Sequence, residues 1–228
     1  MRSLPSSSCC MKAPSGHWHQ QSLQFKYTQA LRVRPGSRAA HSANGPENCF
    51  IIAESKSPIL CARDLSVNPH ISFEDCPPLD YLLVPGGRGT QKEVYNEALT
   101  GFVRRQAEHC QALLSVCTGS FILHAAGQLS GKKATTHWAS LERLRALGDV
   151  EVIEERFVED GSIWTSAGIS AGIDLMLAFI ARTFGEQIAG DVQFSSEYFP
   201  ATTRYGKVEQ HPDAPTYLRR SRLHCRNH

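Results

Sequence analysis

The stretch Leu113-Leu114-Ser115-Val116-Cys117-Thr118-Gly119-Ser120-Phe121-Ile122-Leu123 constrains the fold of this chain more than any other. It reads as a short buried strand, a tight turn carrying a cysteine, and then a helix. A cysteine in such a turn sits at a helix N-terminus. Unpaired backbone N–H groups and the positive end of the helix dipole there favour its thiolate. Small residues at Ser115 and Gly119 permit the sharp bend. This is the logic of a nucleophile elbow with cysteine in place of serine. The alternative is a buried cysteine at an ordinary strand–helix junction, since free cysteine packs as a small apolar residue.

The segments around this elbow alternate between strand-like and helix-like. Cys49–Ala53 and Tyr81–Val84 are short apolar runs of the kind found in strands buried on both faces, and Pro85-Gly86-Gly87 ends the second as a turn. A helix pattern runs from Lys92 to His109, with Val94, Leu99, Phe102 and Val103 on its inner face. Residues 139–147 suggest another helix. Val150–Ile153, Arg156–Val158 and Ile163–Thr165 read as strands, the last two joined by a hairpin turn at Glu159-Asp160-Gly161-Ser162. A long apolar helix covers Ala171 to Phe184, with Ser170 as its N-cap. The expected class is α/β, a mostly parallel sheet covered on both faces.

Three regions differ in composition. Residues 1–46 contain no Asp or Glu and are rich in Ser, Arg, His and Gln. That suits a disordered tail, a mitochondrial presequence, or a segment from an incorrect gene model. Residues 47–200 form the expected α/β domain. Residues 201–228 are polar and basic, and are expected to be an extended tail wrapping the domain, or a disordered one. The Arg219-Arg220-Ser221-Arg222 cluster is read as solvated, with no nucleic-acid partner.

The net charge of +2 gives no global call for nucleic acid or an anionic membrane, and no apolar run is long enough to span a bilayer. No secretory h-region is seen at the start, so a cytoplasmic location is expected, with a mitochondrial one as the alternative. The eight cysteines lack CxxC or zinc spacing, which argues for free thiols, no metal and a reducing compartment.

Open α/β sheets carry their sites at the carboxyl ends of the strands. Two such ends hold candidate residues. One is Cys117, followed by Thr118. The other is Gly86-Gly87, whose N–H groups could join that of Thr118 in an oxyanion hole. His137, after Thr135-Thr136, is a pocket-lining residue or a base. Otherwise it is a structural histidine bonded to nearby backbone while Trp138 packs. Asp174, inside the long apolar helix, is read as structural, bonding local backbone N–H groups. Phe121 and Ile169 line the pocket or belong to the core.

Four separated motifs, Tyr81–Thr90 (YLLVPGGRGT), Ser115–Ser120 (SVCTGS), Gly131–Trp138 (GKKATTHW) and Ser166–Leu175 (SAGISAGIDL), together resemble the DJ-1/PfpI superfamily over about residues 47–200. Within it the chain looks most like the isonitrile (isocyanide) hydratase branch. It is also similar to the sensor domains of AraC-type regulators, although only a short tail follows Pro200. The resemblance implies a flavodoxin-like (class I glutamine amidotransferase-like) three-layer sandwich, a homodimer and a small-molecule substrate. It implies no metal and no organic cofactor.

The same resemblance assigns Cys117 as nucleophile, Thr118 as donor of a backbone N–H and of a hydroxyl orienting an acid, and Gly87 as part of an anion pocket. It also implies an opening strand and a following helix whose Asp or Glu hydrogen-bonds the thiolate. The chain has no segment matching that strand and residues 1–46 hold no Asp or Glu, so the first strand is expected to be missing; either activity is impaired or another group substitutes for the carboxylate. The alternatives are a ligand- or redox-sensing module built on a low-pKa Cys117, and a glyoxalase- or deglycase-type activity on small aldehydes.

Overall fold

In the computed structural model, the described residues are 28–31, 49–61, 65–200 and 207–220. The strands are β1 (Thr28–Leu31), β2 (Cys49–Ala53), β3 (Ile59–Leu60), β4 (Ser66–Val67), β5 (Ile71–Ser72), β6 (Tyr81–Val84), β7 (Ala112–Val116), β8 (Lys133–Ala134), β9 (Glu151–Val152), β10 (Phe157–Asp160) and β11 (Ile163–Ser166). The helices are α1 (Thr90–Glu93), α2 (Glu97–Ala107), α3 (Gly119–Ala125), α4 (Leu141–Arg145), α5 (Ala171–Phe184), α6 (Glu186–Ser195) and α7 (Thr216–Arg220).

Seven strands form the main sheet in the order β10-β11-β7-β6-β1-β2-β5. β6, β7 and β11 pair in parallel, as do β2 and β5, so five of the seven strands run the same way. The exceptions are β10, the hairpin partner of β11, and β1. The hairpin turns at Gly161, whose φ of +64° suits glycine.

Side-chain alternation along the central strands builds one core on each face of the sheet. Leu82, Val84 and Leu113 join Phe102, Val103, Phe121, Ile122 and Leu123 under α2 and α3. Tyr81, Ala112, Leu114 and Trp164 join Leu175 and Phe179 under α5. The result is the expected three-layer α/β sandwich.

The helix expected over 92–109 is two helices. Asn96 interrupts it because its side-chain oxygen accepts the N–H groups of Ala98 (3.0 Å) and Leu99 (3.2 Å), an N-cap that restarts the chain as α2. The apolar helix from Ala171 ends at Phe184 as expected, because Gly185 at φ +100° breaks it from α6.

Of the N-terminal segment expected to be disordered, Thr28–Leu31 are described, and they form β1. This strand lies antiparallel to both neighbours, pairing Gln29 with Ile51 on one side and with Leu83 on the other. It bridges the gap that a missing first strand would leave between β2 and β6. The remainder of residues 1–46 lies outside the described residues, as does the end of the chain beyond residue 220. No helix among the described residues is long and apolar enough to cross a membrane.

Candidate functional site

The parallel strands β6 and β7 end side by side, and the site is built on those two ends. β7 delivers Cys117 with φ +58°, a left-handed conformation that non-glycine residues rarely adopt. Such strain at a cleft-lining thiol is the backbone signature of a nucleophile elbow. The Cys117 N–H is held by the carbonyls of Ser166 and Ala167, each at 3.0 Å, and its own carbonyl accepts the Thr136 hydroxyl at 3.0 Å.

Two glycines allow the elbow to press against the end of β6. A Cβ on Gly119 would lie 2.2 Å from the Val84 carbonyl oxygen, and one on Gly86 would lie 2.4 Å from the Thr118 nitrogen. No side chain fits at either position. The Ser115 hydroxyl, two residues before the cysteine, is the one buried side-chain polar atom among the described residues without a partner.

Thr118 ties the two strand ends together. Its Oγ1 accepts the Gly87 N–H at 2.9 Å, lies 3.1 Å from the Gly87 carbonyl and meets the Thr90 hydroxyl at 3.0 Å. The Gly87 N–H is therefore occupied and not aimed at a ligand. Gly86 packs behind Thr118 and does not line the cleft. The expected oxyanion hole reduces, in this arrangement, to the N–H of Thr118.

Above the elbow lies a cleft of about 680 Å³, lined by Cys117, Thr118 and Gly87 together with His137, Ile169 and residues of several other elements. The sequence-derived candidates Cys117, Thr118, Gly87 and His137 thus share one cavity. Phe121 does not line it but lies in the core, with the Arg143 guanidinium 3.7 Å above its ring. Among the lining residues that sequence reasoning missed are Arg88, Arg143, Arg156 and Tyr217.

Tyr217 was missed because the tail was read as wrapping the domain or as disordered, with no contact to the site assigned to it. The Thr216 N–H donates to the Glu154 carboxylate at 2.9 Å, and His211 meets the Trp138 ring at 5.8 Å, which brings α7 over the cleft. Asp174 also differs from expectation. It bonds the Arg156 guanidinium and the Tyr198 hydroxyl (2.8 Å), so it orients a cleft arginine and is not bonded to local backbone.

The electrostatics of the thiol run against the sequence expectation. Burial pushes the Cys117 thiol up, and the backbone N–H and hydroxyl of Thr118 only partly oppose this. Desolvation thus outweighs the N–H groups on which the expectation of a low-pKa thiol rested. Burial also lowers the His137 pKa, so the ring is neutral at pH 7. Its Nδ1 accepts the Ala139 N–H at 3.3 Å, which leaves the proton on Nε2 and makes the ring a donor, not a base.

No Asp or Glu lines the cleft among the described residues, so Thr118 has no acid there to orient. No cluster of His, Cys, Asp and Glu among the described residues could hold a metal.

Comparison with known proteins agrees with this geometry. A crystal structure of a ThiJ/PfpI family protein from Pseudomonas syringae superposes with a TM-score of 0.66 at 33% identity, covering 76% of this chain and 72% of that one. An isonitrile hydratase from Pseudomonas putida is 44% identical over 144 residues, 63% of this chain and 63% of its own length. The HTH-type transcriptional regulator CdhR of Pseudomonas aeruginosa is 34% identical over 149 residues, 65% of this chain and 44% of the regulator. The chain thus matches less than two thirds of the length of either curated relative. The model of the DJ-1/PfpI family matches residues 41–182, and with the sandwich and its cysteine elbow in place, the chain belongs to the DJ-1/PfpI family.

Proposed function

We propose that this protein is a cysteine-dependent, hydratase-like enzyme that adds water to an isocyanide and releases an N-substituted formamide. The observation that carries the reading is the strained Cys117 elbow opening into the cleft, in a chain 44% identical to an isonitrile hydratase over 144 residues. Cys117 is the nucleophile. Its sulfur bonds to the terminal isocyanide carbon, which takes up a proton to give a thioimidate. Water then adds to that carbon, the carbon–sulfur bond breaks, a proton returns to sulfur, and the formamide leaves. Atoms balance with isocyanide and water alone.

Thr118 supplies its N–H beside the sulfur and locks the Gly87 turn. The Nε2–H of His137 is a donor toward the bound substrate or the attacking water. With the thiol raised by burial and no carboxylate in the described lining, turnover at neutral pH is slow and quickens with alkali. The protein works as a homodimer, which sedimentation at micromolar concentration tests.

Formation of formamide from cyclohexyl or aryl isocyanide, followed for wild type and Cys117→Ala, tests the reading. Formamide from the wild type that disappears in the variant supports it. Folded wild type that makes none rejects it for these substrates. A second reading, a ligand-sensing module, draws on the likeness to the CdhR regulator and on the lack of a carboxylate among the described lining residues. Ligand binding without turnover would favour it. Glyoxalase-type chemistry expects a Glu partner, which the described lining lacks.

A further inference from the structure

The cleft above Cys117 is cationic in a way that the hydration chemistry does not need. Isocyanide, water and formamide are all neutral. Yet Arg88, Arg143 and Arg156 line the cavity, and none of its described lining residues is Asp or Glu. Arg156 is paired with Asp174. Arg88 and Arg143 have no carboxylate within ion-pair distance among the described residues.

Arg143 is also held in place. Its guanidinium lies 3.7 Å over the Phe121 ring, a cation–π contact that fixes the fork without neutralising it. The Arg143 pKa is lowered by burial, as expected of a cation that lacks a close counter-charge.

The groups that favour the charged sulfur are the N–H and hydroxyl of Thr118, while burial raises the thiol overall. Arg88 and Arg143 share the cleft lining with Cys117, so the substituent of a substrate bonded to the sulfur would extend among them. A one-sign cleft raises the local concentration of ligands of opposite sign, and the arginine fork matches a carboxylate in geometry.

We propose that the substrates of this cleft are isocyanides bearing a carboxylate on their substituent, held by Arg88 and Arg143 in the cleft that Cys117 lines. The assignment rests on the hydratase reading for its reaction, and on the arginines for its specificity. The pair of probes is para-isocyanobenzoate and the neutral para-isocyanobenzamide, which differ only in charge.

The expected result is a kcat/KM for the carboxylate roughly tenfold or more above that for the amide at low ionic strength, since hydrogen bonds to an ionised partner are the stronger ones. The ratio shrinks with added salt and falls toward unity in Arg143→Met and in Arg88→Gln. Two separate variants guard against one of them failing to fold. Equal turnover of both probes overturns the proposal and leaves the hydratase reading standing.

If neither probe is hydrated, protection of Cys117 from iodoacetamide decides. Protection by para-formamidobenzoate but not by para-formamidobenzamide sustains the carboxylate site while the hydratase reading falls. Protection by neither, or equally by both, overturns the proposal.

Discussion

At the scale of single residues, the proposed chemistry hangs on one thiol and on the two glycines that let its backbone bend. Cys117 is only 6% exposed, and that burial pushes its thiol up. The thiolate fraction therefore keeps growing as pH rises past that of an ordinary thiol. Iodoacetamide labelling of Cys117, followed by peptide mass spectrometry from pH 6 to pH 10, should climb throughout, with no plateau near neutrality. A plateau below about pH 7 would mean that the thiolate is stabilised more strongly than Thr118 alone can manage.

Gly119 makes a separate prediction. A methyl group there would meet the Val84 carbonyl at 2.2 Å, backbone against backbone, with no flexible side chain to yield. Gly119→Ala should cost at least about 1–3 kcal/mol in urea unfolding. Gly89→Ala, in helical conformation at φ −57° with nothing within 4 Å, should shift stability by less than about 1 kcal/mol. The glycines Gly86 and Gly119 were visible in the sequence as turn formers. What could not be read there was the object each one avoids, because that depends on the distance between two strand ends.

At the scale of elements, the strand–elbow–helix unit and the β10–β11 hairpin were legible because each is specified by neighbouring residues: an apolar run, a glycine turn, an amphipathic return. The break at Asn96 was also written locally, but the apolar period of 92–109 masked it. The docking of α7 was not legible, since it depends on a hydrogen bond between residues far apart in sequence, Glu154 and Thr216. With α7 went Tyr217, and the arginines were overlooked because they come from three separate elements.

That dock has a pH signature. The Thr216 N–H first, and Arg145 after it, hold the Glu154 carboxyl below the usual range. A group depressed on folding contributes stability above its unfolded pKa, about 4 for glutamate, and loses it as pH falls through the lowered value. Wild type should therefore be more stable than Glu154→Gln at pH 7, and the two should converge near pH 3 in urea titrations. A difference independent of pH would detach the α7 dock from the ionised carboxylate.

At the scale of the molecule, the alternation of strands and helices is enough to call a three-layer sandwich, because only a sheet covered on both faces buries runs such as Tyr81–Val84. Alternation says nothing about which backbone fills the middle of the sheet. β1 fills it, antiparallel, with hydrogen-bonded neighbours on both sides. Nothing in Thr28-Gln29-Ala30-Leu31 marks it as a central strand, since its position is fixed by the strands on either side. A proline in a central strand removes a ladder hydrogen bond. Ala30→Pro should therefore lower stability by about 1–3 kcal/mol, the cost of leaving a buried ladder partner unsatisfied. An unchanged melting temperature would show that β2 and β6 do not depend on that strand.

The account as a whole places the chemistry of a chain with eight cysteines on one of them. Its most direct test is to mix the protein with an aryl isocyanide, quench within the first turnover in acid, and map the adduct by peptide mass spectrometry. The account predicts a mass gain equal to the whole isocyanide, on Cys117 alone, decaying as formamide appears and absent from Cys117→Ala. Formamide produced with no adduct at Cys117, or an adduct formed at another cysteine and unaffected by Cys117→Ala, would contradict it.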